Sequence, residues 1–474
     1  MGLEMLNIRT VVLSLPGLAL LGLHPAWAAP SCMPKIEGPV AVTASSKPYE
    51  PSSNPYAGAA PPKGEKEEEF FVSCTASTGA YKTVIHVTMP ADPAKQSGIV
   101  IAEPWHGGDF WTVYDKARPY ITRAGHVSIA IVSSNFVLSN FFKKAEPNRY
   151  GGLSLPGPAG RGNGRNAAGT TSDPPDQTQS EVLGQVGALI KAGGVPGVKA
   201  RKVILGGMSQ TGGVTRAYIA YEHAKPGAKS VYDGYFPEQS ALPSYPGPLA
   251  DLDVPVVELQ GEREMIVMFE RGFDKLKFMR ADGPNYRLYE VPGMPHIATR
   301  TASRLPGDSV PTNKIEPGVA DCTEHVWTNF PTDMVYGAAL DALVQWVDKG
   351  IAAPHVTPIA TSADYRTIKR DAYGNALGGF RTSYLDVPIA QYRGTWGSYH
   401  VGAGGKPTDA KVAKCEMIGW NSYFNHDQLK KLYPTHADYV AKVEKDTADL
   451  VQKRLLLAED ARTLNEEARK AAIP

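Results

Sequence analysis

One segment constrains this chain more than any other. Lys202–Leu205 (KVIL) reads as a short strand, and Thr211–Ala224 reads as a helix. Between them stands only the run Gly206-Gly207-Met208-Ser209-Gln210. A strand that turns this sharply into a helix needs small residues two before and two after the apex, here Ser209. Gly207 meets the first demand. Thr211 stands where glycine is usual, but it is compact, and Gly212 relieves the next contact. Such a turn lifts Ser209 Oγ clear of the sheet and aims the Gln210 N–H at the place where an oxyanion would form. A phosphate-binding loop is excluded, because no Gly-Lys-Ser/Thr follows.

Runs of the same kind recur along the chain. Tyr81–Met89, Ser97–Glu103, His126–Ser133, Val254–Gln260 and Tyr286–Val291 carry β-branched residues bounded by Pro and Gly. Gln179–Ala192 and Tyr336–Asp348 carry helical spacing. This alternation predicts an α/β fold with a mostly parallel central sheet covered by helices on both faces. The 47 Gly and 39 Pro are more punctuation than a helical bundle tolerates, and 42% hydrophobic residues suffice for a large core. With 49 Lys+Arg against 48 Asp+Glu, the chain has no global field for nucleic acid or an anionic membrane.

The flanks read differently. Arg9, the apolar run Val11–Leu23 and Ala26-Trp27-Ala28 predict a secretory signal over residues 1–28, too short to span a bilayer as a mature helix. Stable membrane insertion after cleavage is not expected, and the expected location is periplasmic or secreted. Residues 29–69 are expected to form an extended arm, residues 70–350 the catalytic domain, and residues 351–474 a C-terminal extension ending in helices. Gly151–Gln177 and Thr301–Asp321 are insertions in that domain, and the first could cover a site as a lid. The four cysteines suit disulfides in an oxidising compartment, and Cys32–Cys74 with Cys322–Cys415 is the expected pairing. No Cys-x-x-Cys or spaced His pair suggests a metal. Oligomeric state leaves no signal.

A serine on such a turn needs a base and an acid at the ends of later strands, in that fold's order Ser, acid, His. His296 follows YRLYEV in a Pro-Gly-Met-Pro-His loop, and Glu262 and Glu264 follow VPVVELQ. Glu264 is the preferred acid, Glu262 the second choice and Asp233 the third. The first oxyanion donor is the Gln210 N–H. The second is expected from His106 and Gly107, in the His106-Gly107-Gly108 loop after SGIVIAE. Trp105, Phe110 and Met208 are the expected substrate-pocket residues.

With these residues in place, the chain resembles a secreted bacterial family of α/β-hydrolase-domain proteins whose turn reads Gly-x-Ser-Gln-Ser/Thr-Gly. Pro147-Asn148-Arg149-Tyr150-Gly151, Ala339-Leu340 through Trp346-Val347 and Gly350, Arg370-Asp371-Ala372-Tyr373-Gly374-Asn375-Ala376-Leu377-Gly378-Gly379 and Asp386-Val387-Pro388 resemble further segments of that family. The resemblance implies an α/β-hydrolase fold and a serine carboxyl-ester hydrolase acting on a small-molecule ester, with no metal or organic cofactor. It implies Ser209 as nucleophile, His296 as base and the Glu262/Glu264 pair as the source of the acid, where the family usually has Asp. Two other readings use the same residues: an acyltransferase, and an inactive hydrolase fold that serves as a binding protein.

Overall fold

In the computed structural model, which describes residues 32–51, 64–107, 112–157, 177–223, 230–240, 248–270, 279–297, 326–365, 367–395 and 417–473, the chain enters its sheet inside the expected arm. β1 (Lys35–Glu37) lies antiparallel on β2 (Glu65–Ala76), and β2 lies antiparallel on β3 (Gly79–Pro90). The charged run before Phe70 is therefore the first half of a strand. Its first residues are mostly half-exposed, so Glu and Lys are tolerated there, and burial becomes nearly regular from Phe70 onward. The expected signal segment lies outside the described residues, as do most of the first expected insertion, all of the second, and both members of the expected Cys322–Cys415 pair.

β4 (Ile99–Pro104), β5 (Val127–Ile131), β6 (Lys202–Met208), β7 (Gly234–Glu238), β8 (Val256–Gly261) and β9 (Tyr286–Val291) complete a nine-stranded sheet among the described residues, in the order β1-β2-β3-β5-β4-β6-β7-β8-β9. From β5 to β9 every pairing is parallel. Those strands are buried almost without a break, as a sheet covered on both faces requires.

Helices α1 (Val113–Ala124), α2 (Gln177–Lys191), α3 (Gln210–Tyr218), α4 (Glu262–Glu270) and α5 (Thr332–Lys349) supply the cover. Successive strand residues face opposite sides, and the glycines of β6 show it. A Cβ on Gly206 would meet Val113 of α1, and one on Gly207 would meet Thr211 and Thr215 of α3. α1 and α5 pack together on the first face, and α2 packs with α3 on the second.

Past α5 the chain folds back onto the body. There β11 (Ala390–Arg393) and β12 (Trp420–Tyr423) join β10 (Val326–Trp327), which lies just ahead of α5, in an antiparallel sheet of order β10-β12-β11. Ile297 N–H donates to the Met417 carbonyl at 2.8 Å, which ties this small sheet to the loop after β9. The tail ends in α6 (His436–Gln452) and α7 (Ala458–Lys470). Leu450, Leu456, Ala461 and Leu464 cluster with Met334 of α5, so the apolar stripe of the tail is spent on the body.

The arm is held at two points. A disulfide joins Cys32 to Cys74 of β2. Arg149 Nε donates to Glu69 Oε2 at 2.6 Å while its Nη1 donates to the carbonyl of Ala41 at 2.9 Å. Tyr150 OH donates to Glu69 at 2.7 Å and accepts from the Tyr49 N–H at 2.7 Å. Arg149 and Tyr150, the buried residues of the Pro147–Gly151 segment, thus clasp the arm.

Candidate active site

The turn between β6 and α3 is as tight as its sequence implies. Ser209 has φ 57° and ψ −117°, a conformation that L-residues rarely adopt and that a surrounding structure must impose. Its N–H donates to the Glu238 carbonyl at 2.9 Å, and its carbonyl accepts from Gly213 N–H at 3.0 Å. A Cβ on Gly207 would lie 2.3 Å from the Thr211 carbonyl oxygen, so no other residue fits. Thr211 suits the position usually held by glycine because its hydroxyl turns inward. It donates to the Met208 carbonyl at 2.9 Å and accepts from the Met208 N–H at 3.1 Å.

The loop after β9 carries His296 to this turn, and α4, which starts directly at the end of β8, carries Glu264. His296 Nε2 lies 3.0 Å from Ser209 Oγ, and Nδ1 lies 2.7 Å from Glu264 Oε1. Burial alone would raise the Glu264 carboxyl, but the facing His296 ring, Arg263 and the Gln239 amide outweigh it and hold the group below the usual carboxylate range. An ionised Glu264 can only accept, so Nδ1 carries the proton and Nε2 is left to accept from the Ser209 hydroxyl. Burial pushes the His296 imidazole below its ordinary value; Glu264 opposes that shift, and Arg263 and Lys116 add to it.

The other two acid candidates lie elsewhere. Glu262 is fully buried and accepts from Gly293 N–H at 2.7 Å and from Arg370 Nη2 at 2.6 Å. Two residues along a helix is about half a turn, which aims Glu262 and Glu264 in different directions. Asp233 is a correction of a different kind. It precedes β7, at the end of the sheet opposite Ser209. There it accepts from Val203 N–H at 2.9 Å and pairs with Lys191 at 3.0 Å.

The loop after β4 is closed by a carboxylate. Glu103, fully buried, accepts from the N–H groups of Thr112, Val113 and Tyr114 and from the Thr112 hydroxyl, all at 2.8–2.9 Å. This caps the first turn of α1. Gly107 N–H donates to the Gln210 side-chain Oε1 at 2.9 Å, so the loop is stitched to the serine turn. Gln210 begins α3, where a main-chain N–H has no partner within the helix. His106 stands beside Gly107 at this junction and is half-buried.

Two of the three expected pocket residues are buried. Trp105 is 2% exposed and packs against Phe142, with ring centroids 4.8 Å apart, and also faces Tyr49 and His86, so it is a core residue. Met208 is also 2% exposed. By strand alternation it shares the Gly206 side of β6, the face that α1 covers. Phe110 and Gly108 lie outside the described residues.

Three polar residues that the sequence reading passed over meet behind His296. Gln239 Nε2 donates to Pro295 carbonyl at 2.7 Å and to Glu264 Oε2 at 3.2 Å. Its Oε1 accepts from Tyr336 OH at 2.7 Å and from Lys116 Nζ at 2.9 Å. Lys116 Nζ also donates to the His296 carbonyl at 2.7 Å. The available signal was the polar run Glu238-Gln239-Ser240 closing a strand next to the serine turn. Among the described residues, no group of three His, Cys, Asp or Glu is arranged to hold a metal.

The sequence matches no curated protein. Among solved structures it is similar to esterase Est22 (15% identity, TM-score 0.26, 40% of this chain and 48% of that one). It is also similar to brefeldin A esterase, a bacterial homologue of human hormone sensitive lipase (13%, 0.25, 40% and 44%), and to a bacterial heroin esterase (13%, 0.24, 39% and 47%). The chain thus spans less than half the length of each of these structures. The profile of a family described as "Alpha/beta hydrolase domain" matches residues 38–466, most of the chain, and the protein belongs to that alpha/beta hydrolase family.

Proposed function

We propose that the protein is an exported serine hydrolase that cleaves carboxylic esters through an acyl-enzyme on Ser209. The observation that carries this reading is the His296 ring between Ser209 Oγ at 3.0 Å and Glu264 Oε1 at 2.7 Å. His296 Nε2 takes the hydroxyl proton as Ser209 Oγ attacks the ester carbonyl. The oxyanion is held by the Gln210 main-chain N–H and the His106–Gly107 loop. The Gly107 N–H joins in only by exchanging the Gln210 side-chain oxygen for the substrate's. The protonated ring then gives its proton to the leaving alcohol, and water, activated by the same ring, releases the acid. The carboxylate of Glu264 holds the tautomer and stabilises the imidazolium.

Export is supported by the apolar run Val11–Leu23 ahead of Ala26-Trp27-Ala28 and by the Cys32–Cys74 disulfide, a bond suited to an oxidising compartment. No described helix is long and apolar enough to cross a membrane.

The test is hydrolysis of short p-nitrophenyl esters by wild type and Ser209→Ala, with labelling of Ser209 by an organophosphonate. Turnover abolished by the substitution, with a labelled Ser209, is expected. Folded protein that neither turns over nor labels would make the chain an inactive hydrolase fold. A new ester formed from added alcohol in preference to free acid would make it an acyltransferase.

A further inference from the structure

Gln239 is 2% exposed, and the hydrogen-bonding capacity of its amide is fully used. Both N–H bonds go to acceptors, the Glu264 carboxylate and the Pro295 carbonyl, and both oxygen lone pairs go to donors, the Lys116 ammonium and the Tyr336 hydroxyl. Exchanging the amide N and O would set oxygen against a carboxylate and a carbonyl, so the orientation is determined. The residue holds φ 44°, in the left-handed region where glycine is favoured. Lys116 approaches from α1, Tyr336 from α5, Glu264 from α4 and Pro295 from the loop after β9. Four separate elements therefore converge on one neutral side chain.

We propose that Gln239 and Lys116 are positioning residues for the hydrolytic centre: Gln239 grips Glu264 and the Pro295 carbonyl, Lys116 grips the His296 carbonyl, and the bond between them joins the two grips. The inference rests on the assignment of Ser209, His296 and Glu264 made above. Neither residue touches a reacting atom. What they hold is the main chain on both sides of the His296 nitrogen and the oxygen of Glu264 that faces away from the ring. A small misplacement of the base relative to Ser209 Oγ costs orders of magnitude in rate. A buried amide that uses every bond is a rigid support for such a base.

The charges around the network give a second readout. Lys116 faces Glu238 of β7, Glu264 of α4 and Asp115 of its own helix, and lies 5.1 Å from the centre of the Tyr336 ring. His296 faces Glu264 and Arg263 of α4 as well as Lys116. The ammonium and Arg263 disfavour the imidazolium, and Glu264 favours it. Burial pulls Lys116 down to about 8, so it is still charged in the range where His296 titrates.

The experiment compares wild type, Ser209→Ala, Gln239→Met, Lys116→Met and Tyr336→Phe on a p-nitrophenyl ester, with thermal melts to check folding. Wild-type turnover that disappears in Ser209→Ala comes first. Its absence overturns the hydrolase assignment, and this inference with it, before any positioning variant is scored. Given turnover, Gln239→Met should lower kcat by about 10–100-fold with little change in KM, the effect known for lost supporting hydrogen bonds. Lys116→Met should lower kcat and move the acid limb of kcat/KM to higher pH, because a cation that opposed the imidazolium has gone. Tyr336→Phe removes only one donor to Gln239 and should cost less than Gln239→Met. A kcat in Gln239→Met within about twofold of wild type overturns the proposal. So does an acid limb in Lys116→Met that stays in place or moves to lower pH. If Gln239→Met does not fold, Tyr336→Phe decides, and an unchanged kcat there overturns it.

Discussion

Arg370 Nη2 donates to Glu262 Oε1 at 2.6 Å, and both side chains are largely buried. This pair gives the Arg370–Gly379 segment a physical role. Asp371 accepts from the N–H groups of Tyr373 and Asn375 at 2.8 and 2.9 Å, and Asn375 accepts from Tyr392 N–H at 2.7 Å. The turn so formed presents Arg370 to Glu262, which in turn holds Gly293 N–H at the root of the His296 loop. The C-terminal part of the chain thereby braces the loop that carries His296.

The two acidic residues of α4 should therefore separate cleanly on mutation. Glu264→Gln leaves the His296 Nδ1 without an ionised acceptor and is expected to lower kcat by about three to four orders of magnitude. Glu262→Gln should leave kcat within about tenfold and lower stability by roughly 1–3 kcal/mol, through the loss of a buried charge-assisted bond. Steady-state kinetics and thermal melts of both variants decide it. Equal losses of kcat would break the assignment of roles.

Activity should also follow the charge of His296. The base must be neutral to accept the Ser209 proton, and burial disfavours its charged form. The folded group therefore titrates below 6.5, the ordinary imidazole value. Activity is lost as pH falls through that lowered value and is level above it. A plot of kcat/KM against pH should place the midpoint of the acid limb below 6.5. A midpoint at or above that value would show that the Glu264 carboxylate outweighs the burial of the ring.

How far the sequence carried depended on the range of the interactions involved. β9 was legible to the residue, Tyr286–Val291, because Asn285 and Pro292 bracket a run of apolar and β-forming residues. The start of β2 was read as part of the arm, because a strand that opens on half-exposed charged residues looks like a loop. α1 was not read as a helix, since Pro119 interrupts its pattern. Within the site, Ser209, His296 and Glu264 stood out because each follows shortly after the C-terminal end of a strand. Gln239 and Lys116 did not, because they are 123 residues apart and gain meaning only where the elements converge. The burial of Trp105 was missed for the converse reason. It precedes a loop-like His-Gly-Gly run in sequence, while its neighbours in space are Phe142 and Tyr49.

Gly207 sets a steric limit on the serine turn. A methyl group there would lie 2.3 Å from the Thr211 oxygen and 2.7 Å from Thr215 Oγ1, and the first of these is helix backbone that cannot turn aside. Gly207→Ala is expected to cost about 3 kcal/mol or more and to displace Ser209, with loss of turnover. Gly152→Ala is the control, because nothing lies within 4 Å of its Cβ position. It should stay within about 0.5 kcal/mol of wild type. Similar melting temperatures for the two variants would refute the packing described for β6 and α3.

The arm offers a test independent of catalysis. Cys32 and Cys74 are 42 residues apart, and closing a loop of that length removes chain entropy worth about 4 kcal/mol from the unfolded state. The folded arm does not depend on the disulfide alone. Arg149, with its side chain 0% exposed, still bonds Glu69 and the Ala41 carbonyl, and β1 still pairs with β2. A Cys32→Ser/Cys74→Ser variant should therefore melt several degrees lower while keeping its kcat, since neither cysteine approaches Ser209 or His296. Adding Arg149→Met takes the guanidinium from the buried Glu69 carboxylate, which keeps Tyr150 and His86, at a cost of about 1–3 kcal/mol. It also removes the bond to the Ala41 carbonyl, so it should release the arm. Limited proteolysis then reads the release as cleavage between residues 32 and 51 in the triple variant and not in the double. An arm protected equally in both variants would show that neither the disulfide nor the clasp holds it.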